Sequence, residues 1–535
     1  MASLFITTEM PHTSDGLMHL ARIAAYYKEL SNGQFPVRWA SELNYGYGTP
    51  IFNFFHPLPY ILAAPIVGLG IDLVTTFKIL STLSYVLSGV FMFAFMERFT
   101  GDNTKAIIIS IFYQFAPFRL VEILVRGSLG GIFGYTFLPL VLYGIVRLAK
   151  TPSIGAFTFV AIAMALLATA HNIISFVFTF LIALFVLLMF KSWNTRLLTA
   201  AAMGTGLLLV SFYWIPAITE HSYTYGALHT RDLFRTHFAP IQNFLLPNIT
   251  NAQSLRTEEI STQLGIFHVI ALISALLYVI KKNDKVITKR LLTFSLVATV
   301  LTFFFMLNIS WNLWEHVAVI RQFQYPWRLL SVICFTSAVA ALSFFESKYL
   351  KNKRLLYTVA FLTVISTIYY WKPTQGFYPV SDAIYWTYPL TTTYYGETDL
   401  IWSAGPAGSY PASPVEVIEG NASIDAFTKK SVKQSFVVRA DIPSRLVSNT
   451  QYFPGWRVYI DNKKTPIEFQ NQLYRGLITF QIPQGIHNVL IVFEGSKIQL
   501  ASNMISAVTA NALFILLVVI NVRKANRQRV LSKKT

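Results

Sequence analysis

The sequence predicts an α-helical protein that crosses a membrane many times, with an all-β sandwich domain inserted before its last span. Three observations predict this. Of 535 residues, 54% are hydrophobic and only 13% are charged, and the mean hydropathy is +0.49; a soluble chain of this length has no use for so much apolar surface. The apolar residues gather into about eleven runs, each near the length of a bilayer crossing. Before the last run, the stretch 372–499 turns rich in Pro, Gly, Ser and Thr, and its hydrophobic residues begin to alternate.

The runs fall at 76–96, 104–118, 129–146, 154–170, 173–190, 197–214, 264–280, 291–307, 329–345, 355–370 and 505–522. The piece 58–71 is short and broken by Pro and Gly, and reads as a helix lying at the interface. Basic clusters occupy alternate connections: Arg98 with Lys105, Arg147 with Lys150, Lys191 with Arg196, the 281–290 and 348–354 connections, and the tail after Arg523. Excess Lys and Arg mark the cytoplasmic side. The Asp15 segment, the loops 118–128, 215–262 and 308–327, and the β insertion are then expected outside, in a multi-pass protein of the cytoplasmic membrane.

Within the insertion, 434–440, 456–460, 477–482 and 487–493 alternate as half-buried strands do. Asp461-Asn462 and Pro483-Gln484-Gly485 supply turn chemistry between them. The domains expected are a transmembrane unit at 1–370, a β sandwich at 371–500, and a final helix with a basic tail at 501–535. The net charge of +18 is scattered between apolar runs rather than gathered on one face, which argues against a nucleic-acid partner. Cys334 is the single cysteine, so neither a disulfide framework nor a thiolate metal site is available. Met1 to Met10 lacks the basic start and apolar core of a signal peptide.

Polar residues that a membrane anchor does not need fall in four places on the expected outer side. Asp15, His19 and Arg22 stand at i, i+4 and i+7, one face of a helix. Arg119, Glu122 and Arg126-Gly127 lie in the next outer loop, His171-Asn172 in a tight turn, and Arg321, Gln324 and Arg328 at the mouth of a later run. Each has a bland reading: Asp15 as a helix cap, arginines that snorkel, a histidine bonded within its turn. Together they suit a different chemistry, in which a carboxylate takes a proton from an attacking hydroxyl while Arg and His hold a lipid phosphate as it leaves. The catalytic candidates are Asp15 and, next in line, Glu122. The substrate-binding candidates are His19, Arg22, Arg126, His171, Asn172, Gln324 and Arg328. No nucleotide-binding loop, zinc pattern or Gly-x-Ser-x-Gly elbow is present.

The segment carrying Asp15, His19, Arg22, Gly33, Trp39, Gly46-Tyr47-Gly48, Pro50 and Pro57-Leu58-Pro59 resembles the first external loop of bacterial GT-C-type membrane glycosyltransferases. More narrowly, it resembles the membrane family labelled 6-pyruvoyl-tetrahydropterin synthase-related, and YfhO-like proteins. Val125-Arg126-Gly127-Ser128-Leu129, His171-Asn172, the run from Phe323 to Arg328, and Tyr452-Phe453-Pro454-Gly455-Trp456 extend the likeness in order along the chain. The resemblance implies a GT-C-like fold with Asp15 as the catalytic acid of an external loop. Arg126, His171 and Arg328 are the implied phosphate contacts. The implied donor is a polyprenyl-phosphate sugar, and the acceptor an envelope glycan, lipid or protein. A divalent cation is the only cofactor left open, with no metal ligands assigned. Two features depart from the family pattern: Gly130-Gly131 stand where an acidic residue is expected, and a span expected ahead of Asp15 would be encoded upstream of Met1. The competing readings are a lipid-linked glycan transporter or flippase, and an envelope assembly protein. A transporter would show two similar halves, and the sequence shows no such repeat.

Overall fold

A computed structural model describes residues 1–246, 260–281, 285–347, 352–388 and 396–532, with side chains as far as Arg523. Parts of the basic connections 281–290 and 348–354 and of the outer loop 215–262 lie outside the described residues.

The chain opens with a two-residue strand β1 (Met10–Pro11) and helix α1 (Gly16–Ser31), followed by the short apolar α2 (Leu58–Gly68). Helix α3 (Leu73–Thr100) begins on Asp72, whose side chain accepts the Thr75 amide at 2.7 Å, and ends at Gly101 with φ 68°. A left-handed residue at this position is the usual helix stop, and glycine adopts it without a Cβ penalty. Helix α4 (Asn103–Gln114) begins on Asp102 in the same way. It then bends by 53° into Pro117–Arg126, whose last turn, Glu122–Arg126, is π-helical. Such one-turn bulges gather at functional sites.

Next come α5 (Leu129–Lys150), α6 (Ile154–Ala170), α7 (Asn172–Met189) and α8 (Trp193–Leu209). The apolar run 197–214 is not one straight span: α8 breaks at Val210 and turns by 77° into α9 (Ser211–Thr219). Pro216 lacks the N–H that would bond the Phe212 carbonyl. The Arg38 guanidinium takes that carbonyl instead, at 2.6 Å. The helical part finishes with α10 (Ile266–Ile280), α11 (Val286–Met306), α12 (Leu330–Ala340) inside the apolar stretch Pro326–Glu346, and α13 (Lys353–Ile365).

Among the described residues, six helical stretches, the last in the final helix α14 (Lys497–Ser532), are long and apolar enough to cross a membrane, and eight if each bent pair is one span. Eight of the eleven expected runs coincide with these stretches; the other three correspond to the shorter helices α6, α10 and α13, of 17, 15 and 13 residues. The apolar windows of α5 and of Pro326–Glu346 are each 89% buried whereas that of α14 is 6% buried, so the first two lie inside the helical core and α14 at its edge.

A short strand β2 (Phe377–Tyr378) pairs antiparallel with β1. The β domain follows: β3 (Val415–Glu419), β4 (Ala422–Lys430), β5 (Lys433–Ala440), β6 (Ser444–Gln451), β7 (Trp456–Ile460), β8 (Lys463–Thr465), β9 (Leu477–Ile482) and β10 (Gly485–Phe493). All pairings are antiparallel, in a five-stranded sheet of order β4-β5-β10-β7-β8 and a three-stranded sheet of order β3-β6-β9. Their inward residues, among them Phe436, Val458, Ile478, Phe480 and Ile491, share one core. Asp461 and Asn462 make the tight β7–β8 turn with φ of 49° and 65°, both positive as a type I′ hairpin requires. Pro483-Gln484-Gly485 joins β9 to β10 and so carries the chain from one sheet to the other.

The two cores do not divide at residue 371. Trp371, Tyr378, Tyr385 and Trp386 pack on the helical core, while Trp39 and Phe54, far upstream, sit in the β core. Two buried polar clusters complete the junction. In one, Asn53 and Gln499 donate to Glu220 at 2.8 and 2.9 Å, and Arg38 donates to Asn53 and Asn503 at 3.1 and 2.7 Å. In the other, Glu29 near the end of α1 accepts from Gln34, Ser41 and, across the junction, Ser431 in the β4–β5 turn.

Candidate active site

The segment before α1 is pinned to the π turn by backbone bonds. The Ser14 amide donates to Val125 O at 3.0 Å, and that of Asp15 to Arg126 O at 2.8 Å. Glycine makes this approach possible. A Cβ on Gly16 or on Gly127 would stand 2.4 Å from Thr13 Oγ1, and Gly127 also takes φ +68°. Asp15 occupies the cap position of α1, yet its side chain makes no cap hydrogen bond. Its carboxylate turns instead to Arg126 Nη2 at 3.5 Å, with 22% of the side chain exposed.

Arg126 is shared. Its Nη1 donates to Glu122 Oε1 at 2.6 Å, an i, i+4 pair whose side chains are 6% and 2% exposed, and its guanidinium lies 4.9 Å from the Trp327 ring centroid. Two carboxylates therefore face one cation. Trp327 in turn stacks on Tyr325 at 5.1 Å, and Arg328 covers Tyr325 from 4.4 Å while donating to Gln324 Oε1 at 2.7 Å.

One turn further along α1, His19 Nε2 accepts the Leu129 amide at 3.3 Å and its Nδ1 meets the Tyr60 hydroxyl at 3.1 Å. A nitrogen that accepts an amide carries no proton, so the proton of the neutral ring belongs on Nδ1, where it donates to Tyr60. His19 thus ties α1 to the start of α5. Arg22 lies over the Phe55 ring at 4.1 Å. His171 Nδ1 accepts the Ile173 and Ile174 amides at 3.2 and 3.3 Å and so caps α7. Asn172 donates to Phe54 O at 2.8 Å and accepts from Tyr213.

His56 joins these groups. Its ring stacks on His171 at 4.9 Å and on Tyr60 at 6.1 Å. Burial, and after it the Arg22 charge, push His56 down to about 3. Burial first, and then neighbouring Arg and His groups, hold His19 and His171 well below the usual histidine range. All three rings are therefore neutral in a pocket rich in arginine.

Asp15, Glu122, Arg126, His19, Arg22, His171 and Arg328 are thus brought into one neighbourhood. Arg119 is not: it is buried among Tyr85, Tyr113 and Tyr135. Arg321 lines a separate cleft of about 480 Å³ with Leu228, Arg231 and Gln322. Thr13 and His56 were not singled out by the sequence, whereas Trp327 lies in the run from Phe323 to Arg328 that was; the signal for His56 is a lone polar residue between Phe55 and Pro57-Leu58-Pro59.

Several buried polar atoms around Asp15 have no hydrogen-bond partner: Thr13 Oγ1, Arg22 Nε, His56 Nε2, Glu122 Oε2, Arg126 Nε and Trp327 Nε1. Buried polar atoms are normally paired, so such a concentration marks a place where a ligand or water completes the bonding. Among the described residues no group of three or more His, Cys, Asp or Glu is placed to hold a metal ion. The arrangement offers a partly exposed carboxylate beside buried cations and neutral imidazoles.

No curated protein matches the sequence. Among solved structures, the arabinofuranosyltransferase AftD from Mycobacteria is similar at 14% identity and a TM-score of 0.40, over 73% of this chain and 26% of that one. A mutant form of the same enzyme gives 14% identity and a TM-score of 0.41 over 68% and 27%. The chain spans about a quarter of the length of these structures. The model of the membrane-protein family described as 6-pyruvoyl-tetrahydropterin synthase related matches residues 52–374, more than half of the chain, and the protein belongs to that family.

Proposed function

We propose that the protein is a membrane glycosyltransferase that moves a sugar from a polyprenyl-phosphate carrier to an acceptor of the cell envelope, on the extracytoplasmic face of the cytoplasmic membrane. The observation that carries this reading is the Asp15 carboxylate, fixed to the Arg126 turn and surrounded by buried polar atoms that lack partners. In the proposed step, Asp15 takes the proton of the acceptor hydroxyl as its oxygen bonds to the anomeric carbon. The bond from that carbon to the phosphate oxygen breaks, and the phosphate departs with the electron pair on the lipid. Arg126, already facing two carboxylates, orients Asp15. Arg22 and Arg328 are the cations left to balance the departing phosphate. The β domain, clasped to the far end of α1 through Ser431 and Glu29, presents the acceptor. The apolar helices and the family's membrane character support the location; the basic connections support the sidedness.

The test compares lipid-linked sugars extracted from a strain lacking the protein with those of its parent, by mass spectrometry. The purified chain in lipid nanodiscs is then given the pool that accumulates. The expected result is one polyprenyl-phosphate sugar that builds up without the protein and is consumed by it. An unchanged lipid pool, or a purified protein that turns over none of it, overturns the proposal.

A further inference from the structure

The start of α5 is built differently from the capped helices around it. Ser128 provides no side-chain cap, and the Leu129 amide is taken by His19. The next two amides of the first turn, Gly130 and Gly131, have no intrahelical partner and no other acceptor among the described residues.

A second observation points at the same place. His56 is 6% exposed, its Nε2 has no partner, and the face of its ring at Nε2 rests on Gly130. A Cβ on Gly130 would stand 2.2 Å from that nitrogen, so only glycine lets the ring seat there. The stacks on His171 and Tyr60 hold the ring from behind. Glu122 Oε2 borders the Gly131 side, 2.8 Å from where a Cβ would stand, and its charge is answered by Arg126. Arg22, whose Nε is also unpartnered, reaches the His56 side. Across the neighbourhood, the guanidiniums of Arg22, Arg126 and Arg328 outnumber the carboxylates of Asp15 and Glu122.

We propose that the Gly130 and Gly131 amides and the His56 Nε2–H form a cradle for an oxygen of a phosphate group. Resting on the glycosyltransferase reading above, that phosphate is the one linking lipid to sugar. A helix N-terminus favours an anion through its free N–H groups and its dipole. A neutral imidazole with its proton on Nε2 adds a third donor at an angle the stacked rings hold fixed. The two Nη groups of Arg126 already face Asp15 and Glu122, so the phosphate is held by backbone and imidazole beside them. Gly130-Gly131, which replace an expected acidic residue, thereby become a requirement: a side chain at Gly130 would strike His56, and one at Gly131 would strike Glu122 Oε2.

The test measures binding rather than turnover. The full chain in neutral-lipid nanodiscs is titrated with polyprenyl phosphate, with polyprenol lacking the phosphate, and with inorganic phosphate as competitor. The expected result is a clear preference for polyprenyl phosphate over polyprenol. His56→Phe, which keeps the stacking ring but loses the donor, should weaken polyprenyl phosphate binding by roughly ten- to a hundredfold, the worth of a hydrogen bond to a charged group. Polyprenol binding should not change, and His56→Gln should recover most of the loss. Competition by inorganic phosphate identifies the group alone as the ligand; its failure beside a His56-dependent preference identifies the lipid-borne phosphate. Equal binding of polyprenyl phosphate by wild type and His56→Phe overturns the cradle, as does the absence of any preference over polyprenol. Should the Phe variant not fold, a 31P–15N dipolar contact between bound polyprenyl phosphate and histidine-labelled wild type decides, and no contact overturns it. His56-dependent binding without any sugar transfer would sink the transferase reading and leave the cradle standing; transfer that ignores His56 would do the reverse.

Discussion

Asp15 and Glu122 share Arg126, and replacing each by its amide should separate their roles. At an effective dielectric of about 20, the Coulomb attraction to Arg126 is about 5 kcal/mol at the Asp15 distance and about 6 kcal/mol at that of Glu122. Distance therefore hardly distinguishes them; exposure does. The Asp15 side chain is 22% exposed, against 2% for Glu122. Water screens the Asp15 pair towards the value of about 1 kcal/mol or less found for exposed pairs. Asp15→Asn also gives up no cap bond, because Asp15 makes none. Glu122→Gln breaks a buried pair at 2.6 Å, a change that costs about 3–5 kcal/mol when one partner is left uncompensated. The remaining Asp15 contact brings that towards the lower end. The expected pattern is a split. Asp15→Asn should melt close to wild type yet lose about a hundredfold to ten-thousandfold in sugar transfer, the usual worth of a general base. Glu122→Gln should melt markedly lower. Thermal melts in nanodiscs, beside single-turnover assays with the accumulated lipid-linked sugar, measure both. A fully active Asp15→Asn protein would refute Asp15 as the base, and a Glu122→Gln protein of normal stability but no activity would move the base to Glu122.

Trp39→Ala should cost about 3–5 kcal/mol by leaving a cavity in the β core, because Trp39 is 1% exposed and meets Trp456 edge-on at 5.3 Å; a melt unchanged by the substitution would show that the N-terminal loop is not part of that core. Gly130→Ala, favourable by helix propensity by about 1 kcal/mol, should nonetheless lower the melting temperature because its Cβ meets the His56 ring; a gain in stability would show that the ring is free to move. Stability should fall as pH drops from 7 to 5. His56 is a base depressed from 6.5 to about 3, so the folded state binds fewer protons than the unfolded one over that window, and stability present above 6.5 is lost below it. By pH 5 that amounts to about 2 kcal/mol, and His56→Phe should flatten the slope. Glu29, raised by burial, acts in the opposite sense, losing stability as pH climbs above 4.5, so the variant comparison rather than the wild-type curve isolates His56.

Apolar runs made much of the helical frame legible, but not the caps Asp72, Asp102, Ser153 and Ser192 that start four of its helices. Alternation, which is set residue by residue, made β5, β7, β9 and β10 legible, whereas β3, β4, β6 and β8 were not expected. Features decided by distant partners were not legible either. The run 197–214 is evenly apolar and carries no mark of its break at Val210, and the Phe212 carbonyl beyond the break is taken by Arg38, 174 residues upstream. Contacts across residue 371 were likewise not legible: strand β2 pairs back to β1 and Trp39 packs in the core of the sandwich.

The site divides along the same line. Helical spacing put Asp15, His19 and Arg22 on one face, but spacing cannot say where a ring nitrogen turns. His19 Nε2 serves the Leu129 amide and His171 Nδ1 serves α7, so each spends on a helix end the acceptor nitrogen that its sequence position offered. His56 stands in an aromatic and proline stretch with no periodicity to mark it, and keeps the free nitrogen. Gly130-Gly131 read as the loss of an acid because composition records what a residue carries and not what its absence admits. In the folded chain the missing side chains are what let His56 and Glu122 reach the start of α5. The π turn thus separates two tasks. Its Arg126 end orients the Asp15 carboxylate towards solvent, and the helix start that follows it turns free amides and a neutral imidazole towards an anion. The base is tied to Arg126, and the proposed anion site begins four residues further along at Gly130, so one short stretch of chain would serve both the attacking hydroxyl and the departing phosphate.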